Sequence, residues 1–253
     1  MNSDELLKFS LDLGEQMLVS GAEISRVEDT LQRIAHVFGC KSADVFVITS
    51  VIFLTLTDSE DRSVTGTRRV SRYDTNLDKL HKYNDLSRYI CANVPEIDEI
   101  RERFEEVKQE KGYSLPLQVF ACAMISASFT LFFGGSAIDA AASAVAGAVL
   151  KLIVFAQSKT KVNMVFSNVI SSAAVCLLAF SFVRLGFGED SSKIIVGNIM
   201  LLIPGVALTN SIRDMISGDI ISGMLRLFEA LIIAFAIAAG YILVALMFGG
   251  VTL

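Results

Sequence analysis

Beyond residue 114 the sequence runs through five apolar segments, roughly 115–133, 136–157, 163–187, 193–212 and 220–248. Each supplies the ~20 residues that a helix needs to cross the hydrocarbon of a bilayer. Charge follows the same boundary: residues 1–114 hold 15 Lys/Arg and 21 Asp/Glu, whereas residues 115–253 hold 7 and 6. A whole-chain mean hydropathy of +0.55 therefore averages a polar part and a lipid-soluble part. A uniform soluble enzyme, a fibrous chain or a disordered chain does not divide in this way. The net charge of −5 leaves no basic stripe to displace the counterions of a nucleic acid, so membrane lipid is an expected partner and nucleic acid is not.

The polar part, residues 1–113, reads as a cytoplasmic α+β domain. The start, MNSDELLKF, is acidic and lacks the continuous apolar core of a secretory signal. Leu6, Leu7, Phe9, Leu11, Leu13, Met17 and Leu18 mark a first helix. A second begins at Ser20-Gly21-Ala22-Glu23, which has capping-box spacing, and Gly39 is placed to close it. Its apolar positions, Ile24, Val27, Leu31, Ile34, Ala35 and Phe38, follow helical spacing. Runs 45–49, 51–57 and 64–70 are rich in β-branched and aromatic residues and predict strands. Two amphipathic helices follow, on Leu77, Leu80, Tyr83, Leu86 and Ile90, then on Ile97, Ile100, Phe104 and Val107.

The expected fold class is thus an α+β cytoplasmic domain followed by an all-α membrane domain with five transmembrane helices, residues 114–253. The loop holding Lys159 and Lys161 is basic, with Lys151 nearby, and the loop at Glu189-Asp190 is acidic on balance. The excess of positive charge on cytoplasmic loops predicts an inner or plasma membrane protein with its N-terminus in the cytoplasm and Gly250-Val251-Thr252-Leu253 outside.

Ionisable and amide side chains within the apolar segments are the strongest functional signal, because they are costly in lipid and tend to face a bundle interior or a wet pathway. Ser136, Asp139, Ser143 and Gly147 share one face of the second segment, where Asp139 serves either a pathway or a helix cap. In the third, Asn163, Ser167, Asn168, Ser171 and Ser172 form a polar stripe suited to interhelical hydrogen bonds. In the fourth, Asn198 precedes Pro204-Gly205, a pair that breaks a helix by removing a backbone bond and relaxing the chain. Asn210, Arg213, Asp214 and Asp219 follow, then Gly223, Arg226 and Glu229 at steps of three. Arg226 is placed to pair with Glu229 or to bind a carboxylate.

The four cysteines share no CxxC spacing, and neither His36 nor His81 sits in a nucleophile or metal motif. No catalytic residue, metal site or cofactor is therefore assigned, and no phosphate-cradling glycine loop suggests ATP-driven transport.

These residues resemble the threonine/serine exporter family, in particular its shorter members similar to the larger subunit of a two-component dicarboxylate (succinate) exporter. In the polar part the resemblance rests on Gly21, Ala22 and Glu23 leading to Arg26, Val27 and Glu28, and on Arg33 through Gly39. In the apolar part it rests on Phe133-Gly134-Gly135-Ser136 with Asp139, on Pro204-Gly205, and on Thr209 through Asp214. Gly218-Asp219, Ser222-Gly223 and Arg226 through Glu229 complete it. The resemblance implies secondary export of a small-molecule substrate, an amino acid or a dicarboxylate, driven by an ion gradient. It also implies a second small membrane subunit, or self-association into a homo-oligomer. Asp139, Asn198, Asn210, Arg213, Asp214, Asp219, Arg226 and Glu229 are then the expected substrate or ion pathway. The alternative is a membrane-anchored regulatory or hydrolase-like cytoplasmic domain, for which Asp139 and Arg226 would have no purpose.

Overall fold

The computed structural model describes residues 3–71, 75–160 and 162–248. Its elements, in order, are α1 (Ser3–Val19), α2 (Ile24–Val37), β1 (Ser42–Ile48), β2 (Val51–Thr57), β3 (Ser63–Arg69), α3 (Leu77–Asn93) and α4 (Ile97–Gln109). There follow α5 (Leu115–Phe132), α6 (Ala137–Ser158), α7 (Met164–Arg184), α8 (Ser191–Ile199), α9 (Gly205–Ile216) and α10 (Ile220–Met247). The chain divides into two units. One comprises Met1–Lys111 with Gly205–Phe228, the other Gly112–Pro204 with Glu229–Leu253.

In the first unit the strands form an antiparallel meander, β1-β2-β3, with Val47 opposite Ile52 and Leu54 opposite Gly66. Period-two alternation buries Ile52, Leu54 and Leu56 and leaves Phe53 exposed. Helices α1 and α2 cover the buried face. Gly66 makes that approach possible, since a Cβ there would come within 2.8 Å of Leu11 Cδ1. Val27, Leu31 and Ile34 bury one stripe of α2, each contributing about 1.5–3 kcal/mol relative to exposure. Gly39, at φ +82°, ends α2 as the left-handed residue that the sequence predicts, and Cys40 N–H donates to Ala35 O at 3.0 Å. Tyr83 and Ile90 of α3 and Ile100 and Phe104 of α4 complete the core.

The capping box expected at Ser20–Glu23 does not form. Glu23 is the N-cap residue of α2, and no side chain of its own caps the helix. Its carboxylate pairs instead with Arg213 and, at 3.8 Å, with Arg26.

In the second unit α5 and α6 form a helical hairpin closed by Gly134 at φ +83°. Their backbones meet at Gly147, where a Cβ would lie 2.9 Å from Cys122 O. Such small-residue contacts are how apolar helices gain packing energy where lipid removes the hydrophobic driving force. In α7, Ser172 Oγ donates to Ile237 O of α10 at 2.6 Å. The outer faces are apolar and exposed, with Phe120, Phe132, Phe166 and Phe235 among the most accessible. Together with the helix lengths they make this a multi-pass membrane protein.

The expected fold class needs correction on two counts. Four helices, α5, α6, α7 and α10, are long and apolar enough to cross a membrane among the described residues, not five. The run at 193–212 is interrupted: α8 has 9 residues and α9 has 12, about 13 and 18 Å of helix against ~30 Å of hydrocarbon. Nor is the N-terminal α+β part a separate domain, because α9 and the opening turns of α10 belong to the same unit. Lys161 and the residues Gly250, Val251, Thr252 and Leu253 lie outside the described residues.

Candidate functional site

The site of interest lies in the first unit, where four consecutive residues at the junction of α1 and α2, Gly21 to Ile24, are gripped by side chains from near the other end of the chain. Gly21, at φ +98°, closes α1: its N–H donates to Leu18 O and that of Ala22 to Met17 O, both at 3.0 Å. The chain then turns into α2, leaving the carbonyls of Gly21 and Ala22 and the amide of Ile24 free of partners within their own helices.

Helix α9 and the start of α10 meet those groups. Asn210, Arg213 and Asp214 lie at steps of three and four on α9 and so share a face. Gly218, at φ +101°, reverses the chain, and Asp219 N–H donates back to Asp214 O at 2.9 Å. Helix α10 returns against α9 with Gly223 at the contact, where a Cβ would stand 2.6 Å from Ser211 O. That closeness carries Arg226 to Asp214.

The resulting network spans about 190 residues of sequence. Asn210 Nδ2 donates to Gly21 O at 3.0 Å, and Arg226 Nη2 donates to Ala22 O at 2.8 Å. Ile24 N–H, in the first turn of α2, donates to Asp214 Oδ1 at 3.1 Å. Arg226 Nη1 lies 3.2 Å from Asp214 Oδ2. This last contact is an ion pair without hydrogen-bond alignment: Oδ2 is buried and accepts no hydrogen bond. Asp214 is 0% exposed and Arg226 7%. A pair this deep gives up most of the hydration of both ions, so its attraction barely repays its burial.

The surrounding charge is mainly acidic. Burial pushes the Asp214 carboxyl above its ordinary value, against the lowering influence of Arg226 and the Ile24 amide, with Asp219 and Glu23 adding to the rise. Burial raises Asp219 as well. Glu28 accepts from Val47 N–H at 2.9 Å and is raised by its burial and by Asp219, with the amide opposing. Arg213 and Arg26 are half exposed and pair with Glu23.

The other expected residues lie elsewhere. Asp139, in the second unit, is buried at the start of α6 and forms a reciprocal capping box with Ser136. Its Oδ2 accepts from Ser136 N–H at 3.0 Å and Ser136 Oγ at 3.1 Å. Its Oδ1 accepts from the amides of Glu189 at 2.7 Å and Asp190 at 3.1 Å, tying the α7–α8 connection to α6. Asn198 is buried on α8, donating to Ser143 Oγ at 2.8 Å and Ile194 O at 2.9 Å, while its Oδ1 has no partner. Thr130 Oγ1 donates to the same Ser143 at 2.7 Å. Pro204 stands in the break between α8 and α9, and Gly205 opens α9. Glu229 is exposed on α10 and does not pair with Arg226, whose carboxylate partner is Asp214.

Sequence reasoning named both halves of the network but did not join them, and it overlooked Ser126 and Thr130, buried polar residues of the first span. Their spacing of four, on one face of a mostly apolar run, is the available signal. Among the described residues no group of three or more His, Cys, Asp or Glu is placed to hold a metal ion.

The ThrE family model, that of a threonine/serine exporter, matches residues 8–249. A Corynebacterium glutamicum protein named "Threonine/serine exporter" is 24% identical over 93% of this chain and 50% of its own length. A Mycobacterium tuberculosis protein named "Probable threonine/serine exporter" is 24% identical over 96% of this chain and 46% of its own length. The chain thus spans about half the length of these curated relatives. It covers 90% of a Klebsiella aerogenes protein named "Probable succinate transporter subunit YjjP", at 23% identity over 92% of this chain. No solved structure matches the chain.

Proposed function

The chain belongs to the threonine/serine exporter family, and from that premise we propose that it is one membrane component of a secondary exporter of small carboxylate-bearing solutes. The solute is an amino acid such as threonine or serine, or a dicarboxylate such as succinate. Asn210, Arg213, Asp214, Asp219 and Arg226 form its solute site in this reading. The half-length match to the two exporters, and the word "subunit" in the name of the relative that it covers almost end to end, support a second membrane subunit or a second copy completing the assembly.

The observation that carries the reading is the Arg226–Asp214 pair, buried yet short of hydrogen bonds. A protein using its helices only as an anchor gains nothing from a pair whose desolvation costs as much as its attraction returns. A solute site does gain, because guanidinium is the side chain best suited to a carboxylate. Asp139, saturated by amides and a hydroxyl, shapes the membrane unit in this proposal and does not touch solute. Lys151 and Lys159, near the α6–α7 connection, support a cytoplasmic location for the N-terminal residues.

Efflux of labelled threonine, serine and succinate from preloaded cells, with and without a co-expressed second membrane subunit, tests the proposal. Release of at least one of the three above that of cells lacking the chain is expected. Absence of release for all three, with the protein inserted and the partner present, contradicts it. Labelling of single cysteines from either side of the membrane tests the orientation.

A further inference from the structure

Asp214 occupies its site as a ligand would. Its carboxylate is received by a backbone amide at the start of α2 and by a buried guanidinium, Ile24 N–H at 3.1 Å and Arg226 Nη1 at 3.2 Å. The first turn of a helix attracts anions because its amides are unpaired and its dipole is positive there. Glu23, the N-cap residue, leaves that role open. The receptor itself is held in place by other bonds: Arg226 donates a hydrogen bond to Ala22 O at 2.8 Å, and Asn210 donates one to Gly21 O at 3.0 Å. Yet the fit is incomplete, since Oδ2 is fully buried and accepts no hydrogen bond. Helix α9 fixes the occupant at a distance and angle that leave one oxygen unbonded, a mismatch that a free carboxylate is able to relieve.

We propose that Arg226 and the Ile24 amide form a carboxylate receptor whose resident occupant is Asp214, and that the solute's carboxylate exchanges with Asp214 as the displaced side chain takes up one proton. This rests on the exporter reading for the identity of the solute. The balance is simple: one carboxylate anion enters, a hydronium ion of the solvent gives one proton to an Asp214 oxygen and becomes water, and the net charge of the site is unchanged. No covalent bond other than that O–H forms or breaks.

The groups facing Asp214 favour that protonation once Arg226 is engaged elsewhere. At the N-cap of α2 stands Glu23; in the turn before α10 stands Asp219; on α10, Arg226. Arg213 is committed to Glu23. Burial already holds the Asp214 carboxyl above its ordinary value with Arg226 in place, and withdrawing that cation raises it further.

The test uses purified full-length protein and binding readouts, with acetate, succinate and threonine as probes against chloride at equal ionic strength. Asp214→Ala empties the receptor and lowers Tm, and a free carboxylate should restore a saturating rise of roughly 5 °C. Wild type should show no such rise with acetate, and Asp214→Ala/Arg226→Gln none with any probe. No carboxylate-specific rise in Asp214→Ala, or an equal rise in the double variant, overturns the proposal. A second measurement keeps the wild-type fold. Adding succinate or threonine should produce a protonated-carboxyl band in the infrared difference spectrum that Asp214→Asn lacks. Binding without the band, or the same band in Asp214→Asn, overturns the exchange. If the rescue fails while labelled solute is still exported, this inference falls and the exporter reading stands; rescue without export leaves the reverse.

Discussion

Two buried aspartates, Asp139 in one unit and Asp214 in the other, look alike in the sequence and differ in what the fold does with them. Asp139 accepts four hydrogen bonds from Ser136, Glu189 and Asp190. Asp214 accepts one, from Ile24, and leaves an oxygen beside a guanidinium without a hydrogen bond. The lesson is that burial of a charge does not mark a working site by itself. A carboxylate with every lone pair met is a structural tie, and moving it means breaking several good bonds. One held mainly by an imperfect ion pair can exchange partners at modest cost.

The largest effect should come from Arg226→Gln, which strands the buried Asp214 charge. Its expected cost is about 3–5 kcal/mol, read as a fall in unfolding midpoint, and Asp214→Asn/Arg226→Gln should recover much of it. If the double variant is as unstable as the sum of the two singles, the pair is not coupled and the contrast with Asp139 fails. Asp139→Ala should cost roughly 1–3 kcal/mol through lost caps and an untied α7–α8 connection. It should gain nothing from added acetate, since amides and a hydroxyl, not a cation, hold it among the described residues. A rescue there equal to that at Asp214 would erase the difference between the two acids.

A smaller effect sharpens the comparison through pH. Burial raises the Asp219 carboxyl above its ordinary value, 3.8. Between that value and the raised one the folded state binds more protons than the unfolded chain, so stability falls as pH rises across the window, and the penalty persists above it. Asp219→Asn should remove that slope and be neutral or stabilising at pH 7, measured as Tm against pH. A loss of stability at pH 7 would mean that Asp219 is held charged by a favourable partner.

The sequence disclosed local periodicity well and long-range pairing poorly. The alternation of Ile52, Leu54 and Leu56 and the stripe of Val27, Leu31 and Ile34 were readable because each depends on spacing within one element. The run at 193–212 does not form the single span its composition predicts, because an apolar count does not register where a helix stops. Pro204 lacks an N–H, and Asn210 and Asp214 serve the unit containing α2, not a crossing of the bilayer. The Ser20–Glu23 spacing fits a capping box, yet the α2 amide is met by a carboxylate 190 positions away, a competitor that no local pattern reveals. At the site, the charged residues could be named from their cost in lipid. That Arg226 would choose Asp214 over Glu229, at a helical step of three, depended on Gly218 and Gly223 folding α10 back onto α9.

The most direct measurement compares efflux of the exported solute from cells carrying Arg226→Gln or Asp139→Asn, normalised to inserted protein. Loss of export in the first with retention in the second is the predicted result. Export that survives in Arg226→Gln, or is lost equally in both, would contradict the assignment of the solute site to the Asp214–Arg226 pair.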